Sequence, residues 1–301
     1  MTQNSMFSKK ISLIGAGRAG FAIAALLANQ GYKFLSVIDK NPEKGKRCGN
    51  AVSAVKYGTS LSDLDNNYDF LIIAVPDMEI EKVSSQLAGS GMVRSGSVIA
   101  HLSGAAGSDI LDECRQRGAS VASMHPCMTF TENRDNYINS FYLALEGDKK
   151  ACDELSEVII SIGNKPFIIS RKDKPLYHAA CVTVSNFLVT LFSAGTEMIR
   201  MQESEVPVNV FLPLIKQTID NIEKSGAERA LTGPVSRGDI ETVNKHINIL
   251  KSQKPELALM YAALGLQSIS IAEKQGADSD KLEKIKELFL NTAGDVLNDY
   301  K

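Results

Sequence analysis

The amino-acid sequence predicts an α/β fold, a doubly wound, mostly parallel sheet followed by an all-α region. Three observations predict it. Short apolar runs alternate with helical stretches through the first half. Long helical stretches take over after Ser170. A polar run, Ser170-Arg-Lys-Asp-Lys-Pro175, separates the two textures. The 301 residues allow two domains of about 100–200 residues each, and we expect them at 1–170 and 171–301.

The expected strands are Lys10–Ile14, Phe34–Ile38, Phe70–Ala74, Ser97–His101, Ser120–Met124, Phe141–Glu146 and Lys165–Ser170. Most are continuously apolar rather than alternating, as parallel strands buried on both faces should be. Helical stretches such as Gly20–Gln30 and Met78–Leu87 lie between them, the pattern of successive βαβ units. In the second half, helices are expected at Leu176–Met201, Val208–Lys224, Ile240–Lys251, Glu256–Gln275 and Asp280–Asp299. Pro207 and Pro255 fall near helix starts, where a missing N–H does little harm. Ser279 is the expected N-cap of the last helix.

Composition excludes several classes. The net charge of −2 gives no global pull toward nucleic acid or an anionic membrane. No unbroken apolar run approaches the ~18 residues of a membrane span, and Met1–Lys10 lacks the apolar core of a secretory signal. The five cysteines are scattered without a C-x-x-C pair, against both a disulfide framework and a thiolate zinc site. The four histidines show no metal-ligand spacing. The expectation is a cytoplasmic protein without a metal.

Ile11-Ser-Leu-Ile-Gly15-Ala-Gly17-Arg-Ala-Gly20 places G-x-G-x-x-G between a strand and a helix. Gly15 permits the tight turn, Gly17 lets a pyrophosphate approach the backbone, and Gly20 lets the helix pack against the strand. With Ala16, Arg18 and Ala19 they form a dinucleotide cradle at a helix N-terminus, where free N–H groups and the helix dipole attract phosphate. Asp39 follows the second strand. It could accept hydrogen bonds from a ribose, which favours NAD, or simply begin the turn Asp-Lys-Asn-Pro. Lys40, Lys44, Lys46 and Arg47 could instead hold the 2′-phosphate of NADP. Val75 and Pro76 end the next strand over the same crevice, and Ser103 beside Gly104 could face nicotinamide or substrate.

In the second half, His178 and Asn186 are polar groups two turns apart on an apolar helix. They read equally as functional groups or as a core histidine and an interhelix hydrogen bond. Leu231–Asp239 is a Gly/Pro-rich segment between helices. Its Arg237 could bind a carboxylate bidentately, and Asp239 could cap the next helix. His246 reads as structural or surface.

Together the segments Gly15–Gly20, Ala74–Asp77, His101–Ala105, Met124–Pro126, Tyr177–Asn186 and Leu231–Asp239 give a family resemblance. From about Lys9 to residue 275 the chain resembles Rossmann-like NAD(P)-dependent oxidoreductases with a helical C-terminal domain of unassigned function. These are similar to ketopantoate reductases, pyrroline-5-carboxylate reductases and the 6-phosphogluconate dehydrogenase group. The resemblance implies an NADP-dependent reductase and a homodimer joined through the helical domain. It also marks one departure. Some of these dehydrogenases carry a lysine four residues before the helix asparagine, and here Val182 holds that place, so Lys174 and His178 are the substitutes.

The sequence thus points to hydride transfer from NADP or NAD to a small, carboxylate-bearing carbonyl or imine. His178 is the candidate proton donor, Asn186 and Ser103 would orient the reacting group, and Arg237 would anchor the carboxylate. Ketopantoate is one candidate substrate. A non-catalytic NAD(P)-sensing or regulatory binding protein is the alternative of another class.

Overall fold

The computed structural model describes residues 8–131 and 140–299. It divides into two compact units, Met1–Asn186 and Phe187–Lys301. Most of the Met1–Lys10 segment read for a signal lies outside the described residues.

The first unit is built on eight strands: β1 Lys10–Ile14, β2 Lys33–Ile38, β3 Lys56–Gly58, β4 Phe70–Ile73, β5 Val98–His101, β6 Ser120–Pro126, β7 Tyr142–Gly147 and β8 Lys165–Ile168. Their order is β3-β2-β1-β4-β5-β6-β7-β8. Every pair is parallel except β6 with β7, which is antiparallel. The chain leaves β1 toward β2 on one side and returns to β4 on the other. In open α/β sheets this reversal opens a crevice beyond the carboxyl ends of the strands. The sequence gives no sign of β3, a half-exposed edge strand of three residues with no apolar run.

The unit's helices are α1 Arg18–Asn29, α2 Pro42–Ala51, α3 Asp77–Gly89, α4 Asp112–Gln116 and α5 Lys149–Ser161. One face of the sheet packs on Phe21, Ile23 and Leu27 of α1 and on Leu155, Val158 and Ile159 of α5. The other packs on Ile80, Val83 and Leu87 of α3 and on Cys114 of α4. Burial on both faces explains the continuous apolar strands.

Helix α6, Lys174–Arg200, begins in the first unit and continues into the second. Its surroundings, Arg171–Arg200, reach a mean hydropathy of 1.5 over 18 residues, so it is long and apolar enough to cross a membrane by length and composition. Reading unbroken runs does not show this. Thr183, Ser185, Asn186, Thr190 and Ser193 interrupt the run, while the apolar residues around them keep the average high.

The second unit adds α7 Phe211–Ser225, α8 Ala227–Ala230, α9 Ile240–Gln253, α10 Pro255–Lys274 and α11 Ser279–Asp299. Its core joins Val243 and Ile247 of α9, Ala262 and Ile269 of α10, and Leu282, Ile285 and Phe289 of α11. Asp239 caps α9, its carboxylate accepting from the Thr242 N–H at 3.0 Å and the Thr242 hydroxyl at 2.8 Å. The expectation that Ser279 caps α11 is corrected. Asp278, one residue earlier, accepts from the Lys281 N–H at 3.1 Å, and Ser279 is already helical. A carboxylate is as good an N-cap as a hydroxyl, and the sequence Ala-Asp-Ser-Asp offered both.

Gly265 on α10 faces the fully buried Phe289 ring, and a Cβ there would lie 2.5 Å from Cε2. Alanine favours helix over glycine by about 1 kcal/mol, while overpacking a closed core costs about 1–3 kcal/mol. Packing should win: Gly265→Ala is expected to lower stability by roughly 1–2 kcal/mol in urea unfolding. Adding Phe289→Leu should reduce that penalty in a double-mutant cycle.

Candidate active site

The glycine turn sits where β1 ends. Gly15 adopts a φ of +98°, open to glycine, and its N–H donates to the Ile38 carbonyl at 2.7 Å. A Cβ there would lie 2.5 Å from the Ala74 carbonyl carbon. At Gly20 it would overlap the Gly15 carbonyl and stand 2.8 Å from Ala74 Cβ. At Gly17 a Cβ would meet nothing within 4 Å. Gly15 and Gly20 are therefore required by the protein's own packing, whereas the space at Gly17 is open to a ligand. Gly17 is the N-cap of α1, with no side chain to occupy the first-turn N–H groups. Arg18 is exposed at the helix start, and Ala19 packs against the sheet core. These features fit a dinucleotide pyrophosphate.

A cleft of about 870 Å³ opens beside the turn, lined by Gly15, Gly17, Asp39, Lys40, Val75 and Pro76 among others. Asp39 accepts from the Ala16 N–H at 2.6 Å through one oxygen and from the Asn41 N–H at 2.8 Å through the other. It begins its own turn and also clamps the glycine turn from outside. Lys40 is held by Glu79 at 2.6 Å, and this bond keeps the Glu79 carboxyl below its ordinary pKa. Lys44 lines the cleft as well.

A second group of polar side chains lies at the carboxyl ends of β4, β5 and β6. Asp77, the first residue of α3, follows Pro76 directly and accepts the Ser103 hydroxyl at 2.7 Å. Ser103 Oγ in turn accepts from the N–H groups of Ala105 and Ala106 at 3.2 and 3.0 Å. The fully buried His101 accepts from the Ser103 N–H through Nδ1 at 3.1 Å. Its Nε2, 3.1 Å from the Gly107 carbonyl, must then donate. Burial pushes its pKa down to about 4. His101 therefore holds the 101–107 loop as a neutral imidazole.

His125, next to last in β6, meets the Tyr177 hydroxyl at 2.9 Å through Nδ1. Burial, then the neighbouring His178 and Lys174, push its pKa to about 4 as well. Burial also raises the Tyr177 phenol. His178 stands edge-on to His125, with ring centroids 5.6 Å apart. Gly104 makes room for both rings: a Cβ there would overlap His178 Nδ1 and lie 2.7 Å from His125 Nε2. His178 Nδ1 is enclosed and has no hydrogen-bond partner among the described residues. Beneath them Lys174, 1% exposed, donates to Ser123 Oγ at 2.6 Å and to the Ser103 carbonyl at 3.3 Å. Burial lowers its pKa, against the pull of Glu146 and Asp77.

The structure thus brings His178 and Ser103 into one cluster. Asn186 lies two turns along α6 and is exposed. Arg237 belongs to the second unit, exposed in the turn before α9. His246 bonds the Tyr261 hydroxyl at 2.9 Å, in the structural role expected of it. Asp77, His101, His125 and Tyr177 were not singled out as site residues from sequence. A signal was available, since three of them end or follow strands and Lys174-x-x-x-His178 repeats the four-residue spacing sought at Val182.

Two family models match in succession: a Rossmann-like domain over residues 3–126 and a domain of unknown function, DUF2520, over residues 141–268. A protein described as a putative NADP oxidoreductase from Bacteroides fragilis superposes with a TM-score of 0.71 at 21% identity, covering 88% of this chain and 98% of that one. A reductive aminase from Aspergillus terreus, in complex with NADPH and ethyl-5-oxohexanoate, gives 0.58 at 14% identity, covering 97% and 99%. At these identities the likeness is one of fold. A glutamyl-tRNA reductase from Sulfurisphaera tokodaii is 30% identical over 79 residues, which span 25% of this chain and only 18% of that protein.

The glycines separate binding from folding. Gly20→Ala is expected to destabilise the protein by about 1–3 kcal/mol through overpacking. Gly17→Ala, which meets no packed neighbour but is a poorer N-cap, should cost no more than about 1 kcal/mol of stability and weaken NADPH binding at least tenfold in calorimetric titration. Equal stability losses in both variants would contradict this division.

Proposed function

We propose that the protein is an NAD(P)H-dependent reductase acting on the carbonyl or imine carbon of a small, carboxylate-bearing substrate. The carrying observation is the Asp77–Ser103 hydrogen bond. It joins the wall of the dinucleotide cleft, at Pro76, to the cluster of Ser103, Lys174, His125, Tyr177 and His178. A nicotinamide cofactor, when bound, supplies the hydride. The first-turn N–H groups at the α1 N-terminus, beyond Gly17, would hold its pyrophosphate, and Asp39 with Lys40 would border its ribose.

The remaining chemistry belongs to the chain. The buried His178 Nδ1 has no hydrogen-bond partner among the described residues, and an unsatisfied buried polar atom of this kind calls for a ligand group. His178 donates the proton to the developing alkoxide or amine. Lys174 in the same cluster offers amine N–H donors, beside which developing negative charge is favoured, and Ser103 keeps the orienting role that the sequence suggests. Asn186 keeps the orienting role that the sequence suggests. NADP is favoured over NAD by the likeness in fold to the reductive aminase that is in complex with NADPH. Ketopantoate is one substrate of the required class.

NADPH and NADH oxidation should be followed with 2-oxo acids, including ketopantoate, and with cyclic imines. Turnover of one class is expected, and His178→Gln should lower kcat by about 100-fold or more without changing cofactor affinity. Tight cofactor binding with no turnover of any class would favour a sensor instead. An unchanged kcat across pH in His178→Gln would remove His178 from the acid role.

We also propose a homodimer through the helical part. Phe187, Val189 and Leu191 on α6 and Leu212, Leu214, Ile219 and Ile222 on α7 are large apolar residues left exposed, and contiguous exposed apolar surface marks association sites. Sedimentation equilibrium should give twice the chain mass of 32.6 kDa. Val189→Glu combined with Leu214→Glu should give the monomer.

A further inference from the structure

Cys127 and Cys181 are far apart in sequence but face each other in the first unit, their sulfurs 3.8 Å apart. Cys127 is exposed just beyond β6, with its N–H anchored on the Tyr142 carbonyl at 2.9 Å. Cys181 is partly exposed, one helical turn beyond Tyr177 on α6. The other three cysteines, Cys48, Cys114 and Cys152, are buried. Tyr177 is in contact with both sulfurs of the pair and hydrogen-bonded to His125.

We propose that Cys127 and Cys181 are a reversible disulfide-forming pair that couples the oxidation state of its surroundings to the candidate active site. The chemistry balances with hydrogen peroxide as oxidant. One thiolate attacks a peroxide oxygen, the O–O bond breaks, a sulfenic acid forms, and the departing hydroxide takes up a proton to become one water. The second thiolate attacks that sulfur, the S–S bond forms, and hydroxide leaves as a second water after taking up a proton. Two electrons pass from the two sulfurs to the peroxide. The link ties the end of β6 to α6 and removes both thiols from Tyr177, the partner of His125. Exposed pairs of this kind are the labile ones in a reducing compartment, and a thiol reductant restores the open form. The reasoning stands apart from the assignment of a reductase, because it needs only the two sulfurs and their access.

Burial and the neighbouring sulfur raise the Cys127 thiol, so the reaction is best followed at mildly alkaline pH. The full chain is treated with hydrogen peroxide, blocked with iodoacetamide and digested without reductant. A Cys127–Cys181 cross-linked peptide and a loss of about 2 Da from the intact chain are expected, both reversed by dithiothreitol. The oxidised chain should also melt at higher temperature. Cys127→Ser and Cys181→Ser should each abolish the mass loss and the melting shift. Both cysteines recovered alkylated after oxidation would overturn the proposal, as would a link between two chains or a sulfinic acid on one cysteine with the other still free.

Discussion

Moving an ammonium from water into a protein interior costs several kcal/mol even after relaxation, and Lys174 is 1% exposed. The site is arranged around that constraint. Its Nζ ties three elements together: the Ser103 carbonyl after β5, the Ser123 hydroxyl within β6, and the start of α6, where Lys174 itself lies. Asp77 and Glu146 supply the compensating negative charge, and each is itself fixed. Asp77 accepts from Ser103, and Glu146 accepts the N–H and hydroxyl of Ser108 at 2.7 and 2.8 Å. The 101–108 loop is thus fastened at both ends by carboxylates that answer the buried lysine. The two histidines pressed against Gly104 stand on this platform.

The fold was legible because its signals are local. Short β-rich runs, most of them continuously apolar, marked seven of the eight strands, and G-x-G-x-x-G marked the phosphate turn with the strand and helix it needs. The eighth strand, Lys56–Gly58, escaped because an exposed edge of three residues needs no apolar pattern. The antiparallel entry of β7 could not be read, since strand direction depends on where the chain returns, not on the strand's own residues.

The site was legible in part. Ser103 and His178 were found because each stands beside an obvious turn or on an apolar face. Lys174 emerged only as a substitute for a missing lysine, and its burial was invisible in so polar a run of residues. The bonds of His101, His125 and Tyr177 span partners up to 52 residues apart in the chain, and no spacing rule encodes them. Asp39 was read as either a ribose acceptor or a turn residue. Its side chain is already committed to backbone, and one of those bonds goes to the glycine turn.

That commitment makes cofactor choice and local architecture inseparable at one position. Replacing Asp39 to admit a 2′-phosphate would also strip the Ala16 N–H of its acceptor and loosen the cradle that grips every dinucleotide. Glu79 carries no such burden, for it meets Lys40 at the cleft surface and bonds no backbone of the turn. An engineer wishing to retune the cofactor would therefore begin across the cleft, at the residue that restrains the lysine, and leave the aspartate alone.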